Sequence, residues 1–305
     1  MVFKHTSVML EETVEKLITD KRGTYVDCTL GGGGHALEIV SRLDGGLLIG
    51  IDRDQEAIDA ASERLRDRNV VLVRSNFDRL DEILDDLSIE RVDGVLFDLG
   101  VSSHQIDSVP RGFSYMHDAP LDMRMDTRQK LTAFDVINTY PEERLVKIFS
   151  EYGEERFSKR IAHAIVGFRR SKTIETTGQL VDIIKKSVPM LKGAGHPAKR
   201  VFQAIRIEVN NELGVLEGVL KSAVNRLKSG GRIVVITFHS LEDRIVKTTF
   251  KELATDCICP KNIPVCVCGH RAQIKMLGRA QIPSNEEAER NSRAKSAKLR
   301  AAEKL

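Results

Sequence analysis

Apolar residues in the first third of the chain switch repeatedly between continuous runs and helical spacing. Val8, Leu10, Val14, Leu17 and Ile18 fall at roughly helical spacing from Ser7 to Ile18, and the run that follows predicts a strand ending at Asp27. Leu47 to Ile51 predicts a second strand, closed by Asp52. Ala57, Ile58, Ala61 and Leu65 mark a helix over 55–67, Val70 to Val73 a strand, Leu80 to Leu87 a helix and Val92 to Leu99 another strand. Alternation of this kind predicts an open parallel sheet with helices on its faces. Ligands of such sheets bind at the carboxyl ends of the strands, near the point where strand order reverses.

The next buried run is Gly231 to Phe238. A crossover between parallel neighbours needs a few dozen residues at most, whereas roughly 130 separate Asp98 from Arg232, so an inserted domain of about a hundred residues is expected. Its pattern is helical. Glu154 to Phe168 carries Phe157, Ile161, Ala164, Ile165 and Phe168 on one face and Arg156, Lys159, Arg160 and His163 on another. Thr176 with Gln179 forms a capping box for a helix that Pro189 ends. From Pro197 one long helix is predicted through Phe202, Ile205, Val209, Leu213, Leu216, Leu220, Ala223 and Leu227, its second half rejoining the sheet as the crossover. A helix to about Leu253, a cysteine-rich loop and a last strand at Ser296 to Ala302 follow. The expected division is 1–104 for the first part of the sheet domain, 105–208 for the helical insertion, and 209–305 for the second part with a basic tail.

Chemistry first enters at Asp27-Cys-Thr-Leu-Gly-Gly-Gly-Gly-His35. Glycines between a strand and a helix let backbone N–H groups approach a ligand closely. The spacing is not Gly-x-Gly-x-x-Gly, and Asp27 stands ahead of the turn, which suits S-adenosylmethionine better than a pyrophosphate. Asp52, at the end of the next strand, has the position to take both ribose hydroxyls. Phe77 is placed to stack on an adenine or to fill the core. Asp98, leaving the strand beside the glycine loop, is the best candidate at the reacting centre, where a carboxylate would orient an attacking amine.

Composition adds a partner. Over its 305 residues the chain carries a formal charge of +3, yet residues 1–100 hold 12 Lys and Arg against 21 Asp and Glu. The excess of positive charge beyond residue 100 points to a polyanion. No apolar run reaches membrane-spanning length and the first residues lack the apolar core of a signal peptide, so a cytoplasmic protein with no membrane partner is expected. There the five cysteines are reduced thiols or metal ligands. Cys257, Cys259, Cys266 and Cys268 form two Cys-x-Cys pairs with the donors for zinc, although Cys-x-x-Cys is the commoner spacing.

The glycine segment, Asp98-Leu-Gly-Val-Ser-Ser103, Arg111-Gly-Phe-Ser114, Leu121-Asp-Met-Arg-Met-Asp126, Gly153-Glu-Glu-Arg-Phe157, His196 to Arg206, Phe238-His-Ser-Leu-Glu-Asp-Arg244 and Asn291-Ser-Arg-Ala-Lys-Ser296 together resemble the bacterial MraW (RsmH) family. Those proteins are S-adenosylmethionine-dependent methyltransferases that modify the exocyclic amine of a cytosine in the decoding centre of small-subunit ribosomal RNA. The resemblance covers essentially the whole chain. It implies an α/β, Rossmann-like class I methyltransferase fold, a mostly parallel sheet flanked by helices with an inserted helical domain. It also implies cofactor contacts at Gly33, Gly34, His35, Asp52, Phe77, Asp98 and Gln105, and leaves room for a homodimer. Asp98 and Ser102 are the catalytic candidates, and Arg124, Lys159, Arg160, Lys199, Arg200, Arg206 and His239 the candidates for contact with ribosomal RNA or the assembled small subunit. The cysteine pairs lie outside the family pattern, and the Pro-Pro-Tyr/Phe element of amine-directed DNA methyltransferases is absent after Asp98. The rival readings are an RNA-binding ribosome-assembly factor with no catalysis, or only secondary catalysis, and a methyltransferase acting on protein or a small molecule. The intact glycine loop and Asp52 count against the first, and the positive charge beyond residue 100 against the second.

Overall fold

The computed structural model describes residues 7–189, 195–257, 259, 265 and 267–305. In chain order, helix α1 (Leu10–Leu17) leads to strand β1 (Thr24–Asp27), followed by α2 (Gly34–Arg42), β2 (Leu47–Asp52), α3 (Gln55–Arg64), β3 (Val70–Arg74), α4 (Leu80–Asp86) and β4 (Val92–Asp98). The insertion carries α5 (Ser103–Asp107), α6 (Ala133–Thr139), α7 (Glu142–Glu151), α8 (Ser158–Arg169), α9 (Thr177–Ser187) and α10 (Ala198–Asn210). The chain then runs through α11 (Leu216–Arg226), β5 (Leu227–Thr237), α12 (Ser240–Leu253), β6 (Ile274–Met276), α13 (Asn285–Arg290) and β7 (Lys298–Lys304).

Among the described residues the strands form one sheet in the order β3-β2-β1-β4-β5-β7-β6. β1 to β5 run parallel, while β7 is antiparallel to both β5 and β6. Successive strand residues feed two cores. Val26, Ile49, Ile51, Val95, Phe97, Ile233 and Val235 pack with α4, α11 and α12. Tyr25, Leu48, Leu96, Val234 and Ile236 pack with α1, α2 and α3. Burial on both faces is why the strands read as continuous apolar runs. Strand order reverses at β1, so the carboxyl ends of β1 and β4 flank the crevice where ligands of such sheets bind. The expected α/β class, with a mostly parallel sheet and a helical insertion, is the observed one.

Contacts divide the chain into Met1–Gly100 with Leu213–Leu305, and Val101–Glu212. The inserted unit has its own core, built from Leu121, Met123, α6 to α10 and the residues between them. Its seams lie a few residues outside the expected 105 and 208. At the first, Ser102 already begins the unit as the cap of α5; at the second, Asn210 bonds the backbone of Met123 and Met125, and Glu212 holds Arg206.

The single long helix expected from Pro197 is instead two. Asn211 takes the left-handed conformation (φ 49°) and ends α10, and α11 begins at Leu216. Asparagine tolerates that conformation better than most residues. The apolar steps stay in phase across the break, so periodicity alone does not reveal it. As expected, Thr176 and Gln179 form the capping box of α9. Lys and Arg outnumber Asp and Glu by 18 to 14 over 101–212 and by 17 to 9 over 213–305. Most of the positive excess therefore belongs to the second half of the sheet unit.

Candidate active site

The segment after β1 is tied to its neighbours by backbone bonds from Cys28 N to Leu96 O and from Leu30 N to Ile51 O, and by the Asp98 N–H donated to Thr29 Oγ1. Within it the glycines differ in task. Gly31, at φ 49°, donates its N–H to Asp52 Oδ2 at 2.8 Å, and Asp54 N–H reaches Oδ1 at 2.9 Å. Two backbone bonds thus orient the Asp52 carboxylate, and each oxygen keeps a second lone pair. Gly33 is the left-handed residue (φ 74°) from which α2 starts. A Cβ on Gly34 would stand 2.0 Å from Ser7 Oγ, so a larger residue there requires the Ser7 side chain to turn away.

Four carboxylates gather around this loop: Asp27 at the end of β1, Asp52 at the end of β2, Asp98 at the end of β4, and Glu242 in the first turn of α12, just after β5. Burial pushes Asp27 up to about 7, against the Thr29 N–H bond, and the charge of Asp52 adds to the rise. Burial likewise raises Asp52, despite its two backbone bonds. Asp98 lies well above the usual carboxylate range, through burial and then the charges of Asp27 and Glu242. The cluster is short of positive charge.

His35 is the basic group that faces Asp98. Its Nδ1 is 3.5 Å from Asp98 Oδ2, and its Nε2 is 3.1 Å from the Val8 carbonyl. With Nε2–H donated to Val8, Nδ1 of a neutral ring is an acceptor, so contact with Asp98 requires a proton on one of the two groups. Asp98 Oδ1 is buried and has no hydrogen-bond partner. Asn76 Oδ1, just after β3, is in the same condition. Buried polar atoms are nearly always satisfied, so such orphans just beyond the carboxyl ends of strands mark where ligand donors belong. The residues fit a cationic, nitrogen-bearing cofactor better than a phosphate-bearing one.

The other expected cofactor residues are placed differently. Phe77 is 8% exposed and packs edge-on against Phe97, with centroids 5.8 Å apart at 87°, so it fills the core. Gln105 and Ser102 belong to the inserted unit, where they cap α5 reciprocally: Ser102 Oγ accepts from Gln105 N at 3.2 Å, and Gln105 Oε1 accepts from Ser102 N at 3.0 Å.

The expected RNA residues fall into two groups. Arg124 binds Asp122 through two nitrogens and donates to the Thr127 and Gln129 carbonyls. Arg206 makes a two-point pair with Glu212. His239 caps α12, with Nδ1 accepting from Glu242 N, and its buried Nε2 lies 3.1 Å from Glu242 Oε1 without the direction of a hydrogen bond. In this structure these three also hold the scaffold through intramolecular bonds. Arg200 is exposed and donates to the Glu154 carbonyl. Lys159, Arg160 and Lys199 are exposed cations on α8 and α10.

Three candidates stand out beyond those expected: Asp27, Asn76 and Glu242. Asp27 and Asn76 close or follow strands at their ligand-facing ends. Glu242 is the fourth residue of a His-Ser-Leu-Glu capping box, a spacing visible in the sequence. Among the cysteines, Cys257, Cys259 and Cys268 lie close together, while Cys266 lies outside the described residues. Among the described residues, no helix is long and apolar enough to cross a membrane.

A family model described as the MraW methylase family matches residues 2–305. The chain is 56% identical over 309 residues to the ribosomal RNA small subunit methyltransferase H of Clostridium botulinum (strain Kyoto / Type A2), covering all of both chains. It is 55% identical over 311 residues to the protein of that name from Clostridioides difficile (strain 630), again covering all of both. Among solved structures, an rRNA methylase from Streptococcus thermophilus aligns over 97% of this chain and 93% of its own, at 12% identity and a TM-score of 0.41, too distant to inform the site.

Proposed function

We propose, from the premise that this chain belongs to the MraW methylase family, that it transfers a methyl group from S-adenosylmethionine to the exocyclic amine of a cytosine in small-subunit ribosomal RNA. The observation that carries this reading is the carboxylate cluster with the unpartnered Asp98 Oδ1 beside a glycine cradle. Like charges that raise one another's proton affinity are relieved by a bound cation. A phosphate would worsen them.

In this reading the bound cofactor supplies an electrophilic methyl on a positively charged sulfur. Asp52, held by Gly31 and Asp54, takes the ribose hydroxyls with its remaining lone pairs. Gly33, Gly34 and His35 present the start of α2 to the cofactor's carboxylate, where the helix dipole favours negative charge. Asp98 Oδ1 accepts a proton borne on nitrogen, either the cofactor's ammonium or the acceptor amine. Facing the amine, it would point the lone pair at the methyl and stabilise the charge developing on nitrogen. Asp98 Oδ2 and His35 Nδ1, 3.5 Å apart, then provide a route for the proton the methylated amine loses. Phe77 supports the site from the core, and Gln105 and Ser102 fix the start of α5.

For the RNA, Lys159, Arg160, Lys199 and Arg200 offer exposed positive charge, and the excess over 213–305 adds to it. An RNA substrate of this kind puts the work of the protein in the cytoplasm. A non-catalytic assembly factor has no use for converging buried carboxylates, which repel RNA. The deciding experiment is labelled methyl transfer to assembled small subunits and to naked ribosomal RNA, followed by nucleoside analysis. Label in N4-methylated cytidine is the expected result; none in cytidine from either substrate refutes the proposal.

A further inference from the structure

The loop between α12 and β6 lies far in sequence from the glycine segment and plays no part in the reaction above. Its ends are joined by Gln273 N to Leu253 O at 2.8 Å and by Ala272 N to Asp256 Oδ1 at 3.2 Å. Val265 and Val267 are 69% and 76% exposed, and Cys257 and Cys268 are exposed as well. Yet the sulfurs of Cys257, Cys259 and Cys268 all lie within 4.8 Å of one another.

The separations have a chemical meaning. A tetrahedral zinc ion with Zn–S bonds of about 2.3 Å holds its sulfurs about 3.8 Å apart. Cys257 Sγ and Cys268 Sγ are 3.9 Å apart, far beyond the bond length of about 2.05 Å that a disulfide requires. Val267 N–H points at Cys259 Sγ at 3.4 Å, the arrangement that stabilises a thiolate carrying negative charge. Three sulfurs drawn this close together have the spacing of ligands around one ion. Soft sulfur donors in tetrahedral spacing select zinc among the common divalent ions.

We propose that Cys257, Cys259 and Cys268 bind a structural zinc ion that clips this loop shut ahead of β6. Cys266 lies outside the described residues, and the proposal rests on the other three. Binding deprotonates the thiols and ties the loop's two arms together, so the ion contributes to local folding. It takes no part in methyl transfer, and the test is independent of the proposed substrate.

The full-length protein, purified without chelators, is assayed by elemental analysis. About one zinc per chain is expected. Cobalt exchanged into the protein should give the intense visible bands of a tetrahedral thiolate complex. Cys257→Ser and Cys259→Ser should each lose the zinc while cofactor binding by calorimetry persists, which separates loss of the ion from failure to fold. Chelation should make the Cys257, Cys259 and Cys268 thiols rapidly alkylatable. A protein that holds no zinc and whose loop thiols react at full rate from the start overturns the proposal. So does iron in place of zinc, or a Cys257–Cys268 disulfide in the protein isolated under reducing conditions.

Discussion

The carboxylates of the strand-end cluster and those of the inserted unit treat buried charge in opposite ways, and elsewhere in the sheet unit Asp243 is paired with Lys298 and Arg300 as in the insertion. In the inserted unit, carboxylates withdrawn from water are held by arginines: Asp122 by Arg124, Glu208 by Arg144, and Glu212 by Arg206. Burial works against Asp122, yet the Arg124 hydrogen bonds keep it below its usual value. In the sheet unit Asp27, Asp52 and Asp98 are all raised, and the basic side chain that faces Asp98 is a histidine whose other nitrogen faces a carbonyl. Paired charge is what a scaffold needs, because an unpaired buried ion costs several kcal/mol. Carboxylates kept without a cationic partner at strand ends, their proton affinity raised by burial, are the arrangement of a functional site. The contrast separates candidate site from frame more sharply than residue type does, since both units use the same few side chains.

The contrast can be broken in several ways. The largest effect is expected for Asp98→Asn, which keeps the shape but removes the acceptor. Turnover should fall by about 10²–10³, the range for losing one preorganised electrostatic contact, with no loss of thermal stability. Weaker binding of S-adenosylmethionine in calorimetry would assign Oδ1 to the cofactor's ammonium; unchanged binding would assign it to the acceptor amine. Full activity would remove Asp98 from the site. Arg206→Ala should do the reverse, destabilising the protein by about 3 kcal/mol in denaturant unfolding because it leaves Glu212 buried alone. Stability equal to the parent protein's would show that this pair does not hold the end of α10.

A smaller effect is expected from pH. Asp27 holds its proton to about 7 in the folded protein, well above its ordinary value of 3.8. The folded state therefore binds more protons than the unfolded chain between those values, and this group lowers stability as pH rises through that window, by up to about 1.4 kcal/mol per unit. Below the window the effect is absent, and above it the effect is complete. Asp27→Asn should flatten that part of the stability profile in thermal melts across pH 4–8. A profile unchanged by the substitution would place the slope elsewhere. Smallest of all, Lys159→Ala with Lys199→Ala should weaken RNA binding and reduce the slope of log affinity against log salt by about 0.7 for each phosphate no longer neutralised. An unaltered slope would take these two lysines off the RNA surface.

Much of the fold is legible in the amino-acid sequence. β1, β2, β4 and β5 show as apolar runs because both faces of the sheet are covered, and ligand-facing carboxylates show because each ends such a run. The capping box of α9 is visible for the same local reason. What stays hidden depends on pairings between side chains and backbone that the order of residues does not encode. Arg124 reads as a free basic residue in Leu121-Asp-Met-Arg, but its donors are satisfied by Asp122 and by the turn at Thr127 and Gln129. The break at Asn211 preserves the apolar phase. Phe77 has the sequence position of an adenine platform, yet its ring faces Phe97. A one-dimensional pattern records which residues are apolar and where a strand ends; it does not record which donor meets which acceptor.

The sheet order has a consequence for how the protein is made. β7 is synthesised after β6 yet lies between it and β5, pairing Ile233 with Ala302 and Ile236 with Leu299. Until β7 emerges, β5 is an open edge of apolar backbone at the margin of a parallel sheet, the kind of surface that recruits strands from other chains. β6 waits too, because its three residues pair only with β7. Nascent or trimmed chains lacking Lys298–Lys304 should therefore be prone to aggregate, even with the glycine loop and every carboxylate of the cluster already present.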